Sequence, residues 1–375
     1  MKNENVHLSE GKTLEDILSK QDNKAFPPFS KERSEKSYPE RYKDIKLSLK
    51  KIHNTSEKGA MAASLEEYIN KRASVTDKKF KEGLESALIY LNNHGKDHVD
   101  KVIEKVSEIL QYFPPDNGLT PYEIFILLCA IQIHDTGITF GRDNHEQVIG
   151  PIFDKECSKI LPNKFERDLI TKIAMVHSGQ IFGNNDIIKY LSDTSMMYNL
   201  SVRERLLASL LRFGDELADD NTRADRYGIE VNKIPKYSQI FHYYSHSLHT
   251  VKIIRNQENN ELLLDLVYNF NSDIARKKFY RNNIKKYLIE EIYDRTIKME
   301  KERRYCMRYL RPYFYLSKIV VNIRVTDKNY ALKFQEINYV LEEEGYPDVE
   351  IAIKDRLSGA KLISLLKSKN NGVKK

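Results

Sequence analysis

Apolar residues recur at helical spacing through the middle of the chain. Stripes of this kind occur at residues 80–91, 99–110, 124–131, 169–174 and 206–211. Positions three or four residues apart share one face of an α-helix, so each stripe predicts an amphipathic helix. Thr120 followed by Pro121 predicts the start of the third helix, because a capping threonine and a proline at the first helical position favour that boundary. The chain is therefore predicted to be all-helical from about residue 64 to about residue 220.

The regions on either side follow different patterns. Residues 1–60 are polar and lysine-rich and contain the turn-forming segment Phe26-Pro27-Pro28, so we interpret them as an N-terminal extension. Beyond residue 220, β-rich runs at 251–254 and 261–267 flank a polar turn and predict a hairpin. A charged helix is predicted over residues 274–305.

The end of the chain predicts a small α/β unit. Its patterns indicate a strand at 318–325, a helix at 330–344, a strand at 349–353 and a final helix. The predicted fold is thus mainly α. It consists of a helical bundle domain over 61–305 with a β-hairpin insertion at about 240–270, followed by a small α/β domain over 306–375.

Composition and charge set broad limits on function. The chain is 41% hydrophobic and 31% charged, as expected of a globular protein, and its formal net charge is +7. This charge favours anionic ligands without requiring nucleic acid. The longest apolar run, at 124–133, is too short for a membrane span and the N-terminus lacks a secretory signal, so we expect a cytoplasmic protein with no membrane partner. Cys129, Cys157 and Cys306 are scattered, which predicts reduced, structural thiols.

The residues that indicate chemistry lie on the inward faces of separate helical stripes. His98 lies four residues before Val102, His134 three after Ile131, His177 four after Ile173 and Asp215 four after Leu211, and Asp135 follows His134. Taken singly, each is more often a hydrogen-bonded core histidine or a capping aspartate. Buried carboxylates, however, need a compensating cation. Two imidazoles with two carboxylates form a mixed set that suits Mn, Fe, Co, Ni, Zn or Mg.

The same residues carry a resemblance to the HD superfamily of metal-dependent phosphohydrolases. That superfamily has a histidine on one helix, a His-Asp pair ending a later helix and a distal aspartate. The segments NNHGKDHVDKV, CAIQIHDTGI and LLRFGDELAD match this order over about residues 90–225. The resemblance implies an HD-type helical fold and a divalent metal held by His98, His134, Asp135 and Asp215. His94 lies four residues before His98 and is the alternative to it as the first metal ligand.

The resemblance also implies roles for further residues. Some HD enzymes bind a second ion through additional histidines, for which His145 and His177 are candidates with Asp135 bridging. In others a histidine near the position of His145 is a general acid. The candidates for binding substrate phosphate are Lys96, Arg142, Arg223 and Arg226. The HGxxH and LLRxGDELAD patterns are similar to an HD variety of bacterial conflict systems, which implies a role in antiviral defence.

Two other clusters favour structural interpretations. His242, His246 and His249 have no adjacent carboxylate, so we interpret this region as an aromatic strand or loop. Basic and tyrosine residues alternate from Arg303 to Tyr315, a composition typical of single-stranded nucleic-acid binding, but we favour a solvated helix there. A subunit interface would be rich in tyrosine in the same way, so a homo-oligomer is kept as an alternative.

The predicted function is a metal-dependent phosphohydrolase that acts on a nucleotide, either a deoxynucleoside triphosphate or a cyclic or signalling nucleotide. One or two divalent ions, manganese among them, would activate water and hold phosphate. Two alternatives stay open: an HD-type nuclease acting on single-stranded DNA or RNA, and a catalytically silent nucleotide-binding or scaffolding module. Buried carboxylates argue against the silent module, because a protein without metal has no reason to bury them.

Overall fold

The structure is a computed structural model of the chain. It describes residues 5–9, 11–20, 36–55, 96–140, 145–177, 184–230, 234, 236–281, 284–329, 333–343, 353 and 356–372. The predictions for the stripe at 80–91, the strand residues 349–352, His94 and Arg142 lie outside the described residues. The chain divides into two units, with Met1–Ala218 and Cys306–Phe314 in unit 1, and Asp219–Tyr305 and Tyr315–Lys375 in unit 2.

Unit 1 is built mainly from helices, as predicted. Its described elements are α1 (Leu14–Ser19), α2 (Tyr38–Thr55), α3 (Lys96–Leu110), α4 (Pro121–Ile133), α5 (Ile149–Cys157), α6 (Lys164–Met175), α7 (Glu204–Leu217) and the antiparallel pair β1 (Ser195–Met197) and β2 (Leu200–Val202). Short 3-10 turns follow α4 at Thr136–Phe140 and His145–Val148. Among the described residues, no helix is both long enough and apolar enough to cross a membrane.

Helix α4 is the centre of unit 1. Its residues after Pro121 are all buried, and α1, α2, α3, α6 and α7 pack around it. Thr120 and Glu123 form a reciprocal capping box, in which Glu123 N donates to Thr120 Oγ1 at 3.2 Å and Thr120 N donates to Glu123 Oε2 at 2.9 Å. Pro121 occupies the first helical position, as predicted. The cap fixes the first turn of α4, and the helix ends at Ile133, directly before His134.

Part of the region predicted to be an extension belongs to this helical core. Leu18 of α1 and Leu49 of α2 are buried. A buried ion pair joins Arg41 of α2 to Glu166 of α6 at 2.5 Å, and the Tyr122 hydroxyl of α4 donates to the other Glu166 oxygen at 2.9 Å. Losing one partner of such a pair leaves an uncompensated buried charge, which costs about 3–5 kcal/mol. Three helices are therefore held together by one polar cluster.

Unit 2 contains a four-stranded sheet. Its strand order is β3 (Leu248–Arg255), β4 (Leu262–Asn271), β7 (Leu316–Thr326) and β8 (Lys333–Glu342). The outer pairs are antiparallel, whereas β4 and β7 are parallel. Parallel neighbours require a long crossover. The crossover contains α10 (Ser272–Arg276), the hairpin of β5 (Lys278–Arg281) and β6 (Ile284–Tyr287), and α11 (Leu288–Leu310). The remaining described helices are α8 (Arg226–Glu230), α9 (Lys236–Ser247) and α12 (Gly359–Gly372).

Several sequence predictions for unit 2 were wrong. Most of the segment predicted as a helix at 330–344 forms β8, where Ile337, Tyr339 and Leu341 alternate with more exposed residues and pairing with β7 stabilises the strand. The predicted helix at 274–305 is preceded by the β5–β6 hairpin and starts only at Leu288. His242 and His246 lie on helix α9 rather than on a strand or loop, because Ile240 and Tyr244 bury one helical face, whereas His249 lies on strand β3.

The sheet also joins residues on both sides of the predicted domain boundary at residue 305. Strand β4 precedes that boundary and β7 follows it, yet their residues pair from Leu262 to Asn271. Alternate residues of β4, including Leu264 and Leu266, are buried, and so are their partners Ile319 and Val321. The hydrophobic face shared by these two strands therefore belongs to one unit.

Candidate metal centre

Four helix ends of unit 1 bring the predicted ligands together. His98 lies in the first turn of α3, His134 directly follows α4, His177 follows α6 and Asp215 lies in the last turn of α7. The three histidines are at most 3% exposed. The side chains of Asp135 and Asp215 are 10% and 22% exposed. Solvent therefore reaches the cluster from the side of the carboxylates.

Helices α3 and α7 approach each other closely beside this cluster. A Cβ atom on Gly214 would lie 2.3 Å from Cγ2 of Val106, far inside van der Waals contact. Gly214 directly precedes Asp215, and Val106 lies two turns after His98 on α3. The missing side chain at position 214 lets the two helices bring His98 Nε2 within 3.0 Å of Asp215 Oδ1.

The spacing of the donor atoms suits one divalent ion. His98 Nε2 lies 3.6 Å from Asp135 Oδ2, and His134 Nε2 lies 3.4 Å from the same oxygen and 3.8 Å from Asp215 Oδ1. One ligand atom from each of His98, His134 and Asp215 falls within 4.8 Å of the others. Atoms bound about 2.1 Å from a shared ion lie about 3.0–3.4 Å apart in octahedral or tetrahedral coordination. The distances found here are close to that range.

Two of the histidines are oriented so that Nε2 faces the carboxylates. His134 Nδ1 lies 2.7 Å from the Ile131 carbonyl oxygen, and His177 Nδ1 lies 2.6 Å from that of Ala174. A carbonyl only accepts hydrogen bonds, so Nδ1 of each ring is the donor, which leaves Nε2 as the nitrogen that a metal ion would bind. His134 Nε2 is buried and makes no hydrogen bond with the described residues. Metal-ligating histidines are typically oriented in this way.

The electrostatics of the cluster favour a cation. Burial alone lowers the pKa of His134, but the charges of Asp135 and Asp215 outweigh it and raise the pKa to about 9. Burial alone raises the pKa of Asp215, but the hydrogen bond from His98 and the charge of His134 lower it well below its usual range. Without a metal, the two carboxylates are therefore balanced by protons on histidine. A divalent ion would supply positive charge at the same place, and the same nitrogen and oxygen atoms would hold it.

A scan against protein-family models connects this geometry with a family. The HD-CE family model matches residues 65–298, more than half of the chain. The chain belongs to the HD-CE family. Searches of curated proteins and of solved structures found no match. An HD-type domain with a His-His-Asp cluster is the arrangement of a metal-dependent hydrolase.

The HD-CE match extends beyond the region of the predicted HD resemblance. It contains all five predicted metal ligands and continues through α9, β3, β4 and the β5–β6 hairpin of unit 2. The HD-CE domain is therefore larger than the helical segment whose motifs carry the resemblance. The resemblance to a conflict-system variety remains a prediction.

The other predicted site residues of this HD-CE protein are only partly described. His145 begins a 3-10 turn, Lys96 begins α3 and Arg226 begins α8, but their side chains lie outside the described part of the chain. Arg223 lies in unit 2, where its guanidinium is 3.7 Å from Asp219 Oδ1. The roles of these residues in proton transfer or phosphate binding remain predictions.

One buried histidine near the centre was missed by the sequence analysis. His53, in the last turn of α2, places its Nε2 2.8 Å from the carbonyl oxygen of Gln132, two residues before His134. Burial lowers the pKa of His53, which favours the neutral ring. A neutral His53 that donates from Nε2 would hold the end of α4 in place. The helical spacing of His53 from Leu49 was the available signal, but it lies in the segment predicted to be an extension.

Residues of the basic and tyrosine-rich segment are engaged in packing. Arg303, in unit 2, is fully buried and donates from Nε to Glu300 at 2.6 Å. In unit 1, the Tyr313 ring stacks on Phe113 with centroids 5.6 Å apart, and the Arg203 guanidinium lies 5.2 Å from the Tyr313 centroid. These contacts favour a structural role over nucleic-acid binding for Arg303 and Tyr313.

Proposed function

We propose that this HD-CE protein is a metal-dependent phosphohydrolase that cleaves a phosphoester or phosphoanhydride bond of a nucleotide. His98, His134, Asp135 and Asp215 would hold the ion. The observation that carries the proposal is the meeting of three buried imidazoles and two carboxylates at four helix ends, with Nε2 of His134 and His177 directed at the carboxylates. Two neighbouring buried carboxylates are costly unless positive charge balances them, and a divalent ion would supply that charge without requiring protonated histidines.

The ion could be Mn, Fe, Co, Ni, Zn or Mg, since each accepts mixed nitrogen and oxygen ligands. A bound divalent ion lowers the pKa of water and stabilises negative charge on phosphate oxygens. The partly exposed carboxylates of Asp135 and Asp215 leave the cluster open on one side, where a phosphate group can enter. The chain itself would therefore supply the ligands, and the exposed edges of the two carboxylates are where phosphate would approach.

Other residues around the ion would bind a second ion, transfer protons and hold the phosphate. Asp135 lies between two histidines, with Oδ2 3.4 Å from His134 Nε2 and Oδ1 3.4 Å from His177 Nε2. This position suits a carboxylate that bridges two ions, with His177 as a ligand of the second. With a single ion, His177 would instead accept a proton from water and His145 would donate one to the leaving oxygen. Lys96, Arg142, Arg223 and Arg226 are the candidates for holding phosphate.

A nucleotide is the proposed substrate because the net charge of +7 favours anionic ligands but is modest for nucleic acid. Deoxynucleoside triphosphates and cyclic or signalling nucleotides are the two classes to test. We further propose a role in antiviral defence in the cytoplasm, which rests on the resemblance to the HD variety of conflict systems.

The test combines metal analysis with a substrate panel. Wild type, Asp135→Asn and the surface control Asp116→Asn are purified together, and bound metals are measured by mass spectrometry. Each protein is then incubated with Mn²⁺ and with deoxynucleoside triphosphates, cyclic mononucleotides, cyclic dinucleotides and single-stranded oligonucleotides. We expect metal and turnover in the wild type and in Asp116→Asn, and loss of both in Asp135→Asn.

The other outcomes decide between the alternatives. If only the oligonucleotides are cleaved, the protein is a nuclease and the proposal of a nucleotide hydrolase is wrong. Bound metal without turnover of any substrate would favour a silent binding module. A wild type that binds no metal and stays inert, with Asp135→Asn folded as well as the wild type, would remove the enzyme proposal.

A further inference from the structure

Unit 2 contains a cavity of about 650 Å³ whose residues belong to no site described above. The β5–β6 hairpin, the first turns of α11 and the residues just before α12 form its walls. Cavities of about 300–1,000 Å³ hold small-molecule ligands in proteins. The volume is therefore sufficient for a ligand of nucleotide size.

The cavity walls carry more basic than acidic side chains. Arg281, Lys285, Lys286 and Arg356 line it, against Glu290 and Asp294. Lys286 pairs with Asp294, and Arg356 lies 3.4 Å from the same carboxylate. Lys285 lies 5.7 Å from the centroid of the Tyr280 ring and forms no ion pair with a described residue. The walls thus present positive charge that their own carboxylates do not balance.

The carboxylates near the cavity already have partners. Glu291, just behind the wall, has a fully buried side chain and pairs with Arg281, with Lys286 at 2.9 Å and with Arg295 at 3.0 Å. Glu290 accepts from Tyr287 N at 3.0 Å and from Gly359 N at 3.3 Å. An arginine has five N–H donors and a lysine three, so the basic residues keep donors for a ligand after these bonds are made.

The start of α12 is held rigidly in the same wall. Ser358 caps this helix, accepting from Lys361 N at 3.3 Å. A Cβ atom on Gly359 would lie 2.2 Å from Cδ2 of Tyr287, so the helix start packs directly against β6. The dipole of this helix favours an anion near its first turn, and the Glu290 carboxylate already occupies that place by accepting from Gly359 N, so the basic side chains rather than the helix start are left for a ligand. Ile284, which is 69% exposed at the hairpin end, provides an apolar surface beside these charges.

We propose that this cavity binds a phosphate-bearing small molecule of nucleotide size. Arg281, Lys285 and Arg356 bind its phosphate groups, and Ile284 contacts its apolar part. None of these residues is a proposed metal ligand or a candidate for holding the substrate phosphate, so we propose the cavity as an additional site. A nucleotide fits the cavity better than free phosphate does, because the volume exceeds that of one phosphate group and an apolar surface borders the charges.

The experiment measures binding with the metal centre disabled. Full-length Asp135→Asn protein in EDTA is titrated with ATP, cyclic AMP and inorganic pyrophosphate by isothermal titration calorimetry. The same titrations are made after adding Lys285→Ala or Arg356→Ala. Lys278→Ala is the matched control, because Lys278 lies on the same hairpin against the Tyr287 ring and does not line the cavity. Melting temperatures confirm that each variant is folded.

We expect at least one nucleotide to bind the parent, and to bind about tenfold or more weakly after Lys285→Ala or Arg356→Ala, as expected for a lost charge-assisted hydrogen bond. Lys278→Ala should bind like the parent. If Arg356→Ala is destabilised through its lost pair with Asp294, Lys285→Ala still decides the question, since it breaks no ion pair. Pyrophosphate that binds as tightly as ATP would assign the site to phosphate alone and overturn the nucleotide-sized ligand.

Three further results would overturn the proposal. In the first, no probe binds the parent at about 1 mM, which is weaker than small-molecule sites normally are. In the second, both cavity variants bind as the parent does. In the third, a single-stranded oligonucleotide binds more tightly than ATP, with steep salt dependence, and Lys278→Ala weakens this binding as much as Lys285→Ala does. That result indicates a nucleic-acid surface along the hairpin.

Discussion

His134 and His177 are each oriented by the turn of chain that precedes them. In both residues Nδ1 bonds the carbonyl three positions earlier, so the helix end itself fixes the ring and directs Nε2 to Asp135. The stripe spacing predicted that these side chains point inward. It could not predict the proton positions or the approach of Asp215, which depend on contacts between α3 and α7 that lie far apart in the sequence.

The raised pKa of His134 predicts how the stability of the metal-free protein changes with pH. Its value of about 9 in the folded protein lies above the ordinary 6.5. The protonated ring therefore stabilises the fold fully below pH 6.5, and this stabilisation is lost as the pH rises through about 9. We expect the free energy of unfolding in EDTA to fall across this window by up to about 1.4 kcal/mol per pH unit.

Urea denaturation at several pH values measures this slope, and substitutions identify its source. Asp135 is the largest of the charges that raise the pKa of His134, ahead of Asp215. Asp135→Asn should therefore flatten the slope more than Asp215→Asn does. An unchanged slope in Asp135→Asn would show that another group causes the pH dependence.

At the scale of elements, the helices with strong apolar stripes were predictable and the mixed segments were not. Helices α3, α4, α6 and α7 all lie where stripes predicted them. Tyr38, Tyr42, Ile45 and Leu49 also follow helical spacing in α2, but they stand among lysines, and tyrosine is a weak signal of burial. Strand β8 was misread because its neighbour β7 supplies the pairing that decides its conformation.

The contact between α3 and α7 predicts the effect of a side chain at position 214. Gly214→Ala places a methyl group against Cγ2 of Val106, so the helices must separate or shift. We expect a loss of about 1–3 kcal/mol in the free energy of unfolding, as for other overpacked cores. Because Asp215 and His98 flank this contact, the affinity for Mn²⁺ should also fall.

A double-mutant cycle tests this explanation. Val106→Ala removes the methyl group that the new side chain meets, so Gly214→Ala should cost less in the Val106→Ala background than in the wild type. Ser209→Ala, at a buried position of the same helix, controls for a general effect of substitution in α7. Equal costs in both backgrounds would exclude the steric explanation.

At the scale of the whole molecule, the proposed ligands belong to unit 1 while the HD-CE match includes part of unit 2. The ligands come from the ends of four helices that the unfolded chain holds far apart, so an ion bound by all of them favours the folded chain alone. The motifs predicted this ligand set from sequence. They could not predict the basic cavity of unit 2, because Lys285 and Arg356 meet only once the hairpin and the start of α12 are in place.

Metal removal should therefore lower the thermal stability of the wild type. An ion present at 100 times its dissociation constant stabilises the fold by about 2.7 kcal/mol. The melting temperature should rise with added Mn²⁺ and fall in EDTA, measured by calorimetry at one protein concentration. Asp215→Asn, which keeps the shape of the side chain but loses its charge, should melt at nearly the same temperature in both solutions. If the wild type were equally indifferent to Mn²⁺ and EDTA, protons rather than a metal would balance the two carboxylates, and the cluster would be a hydrogen-bonded core.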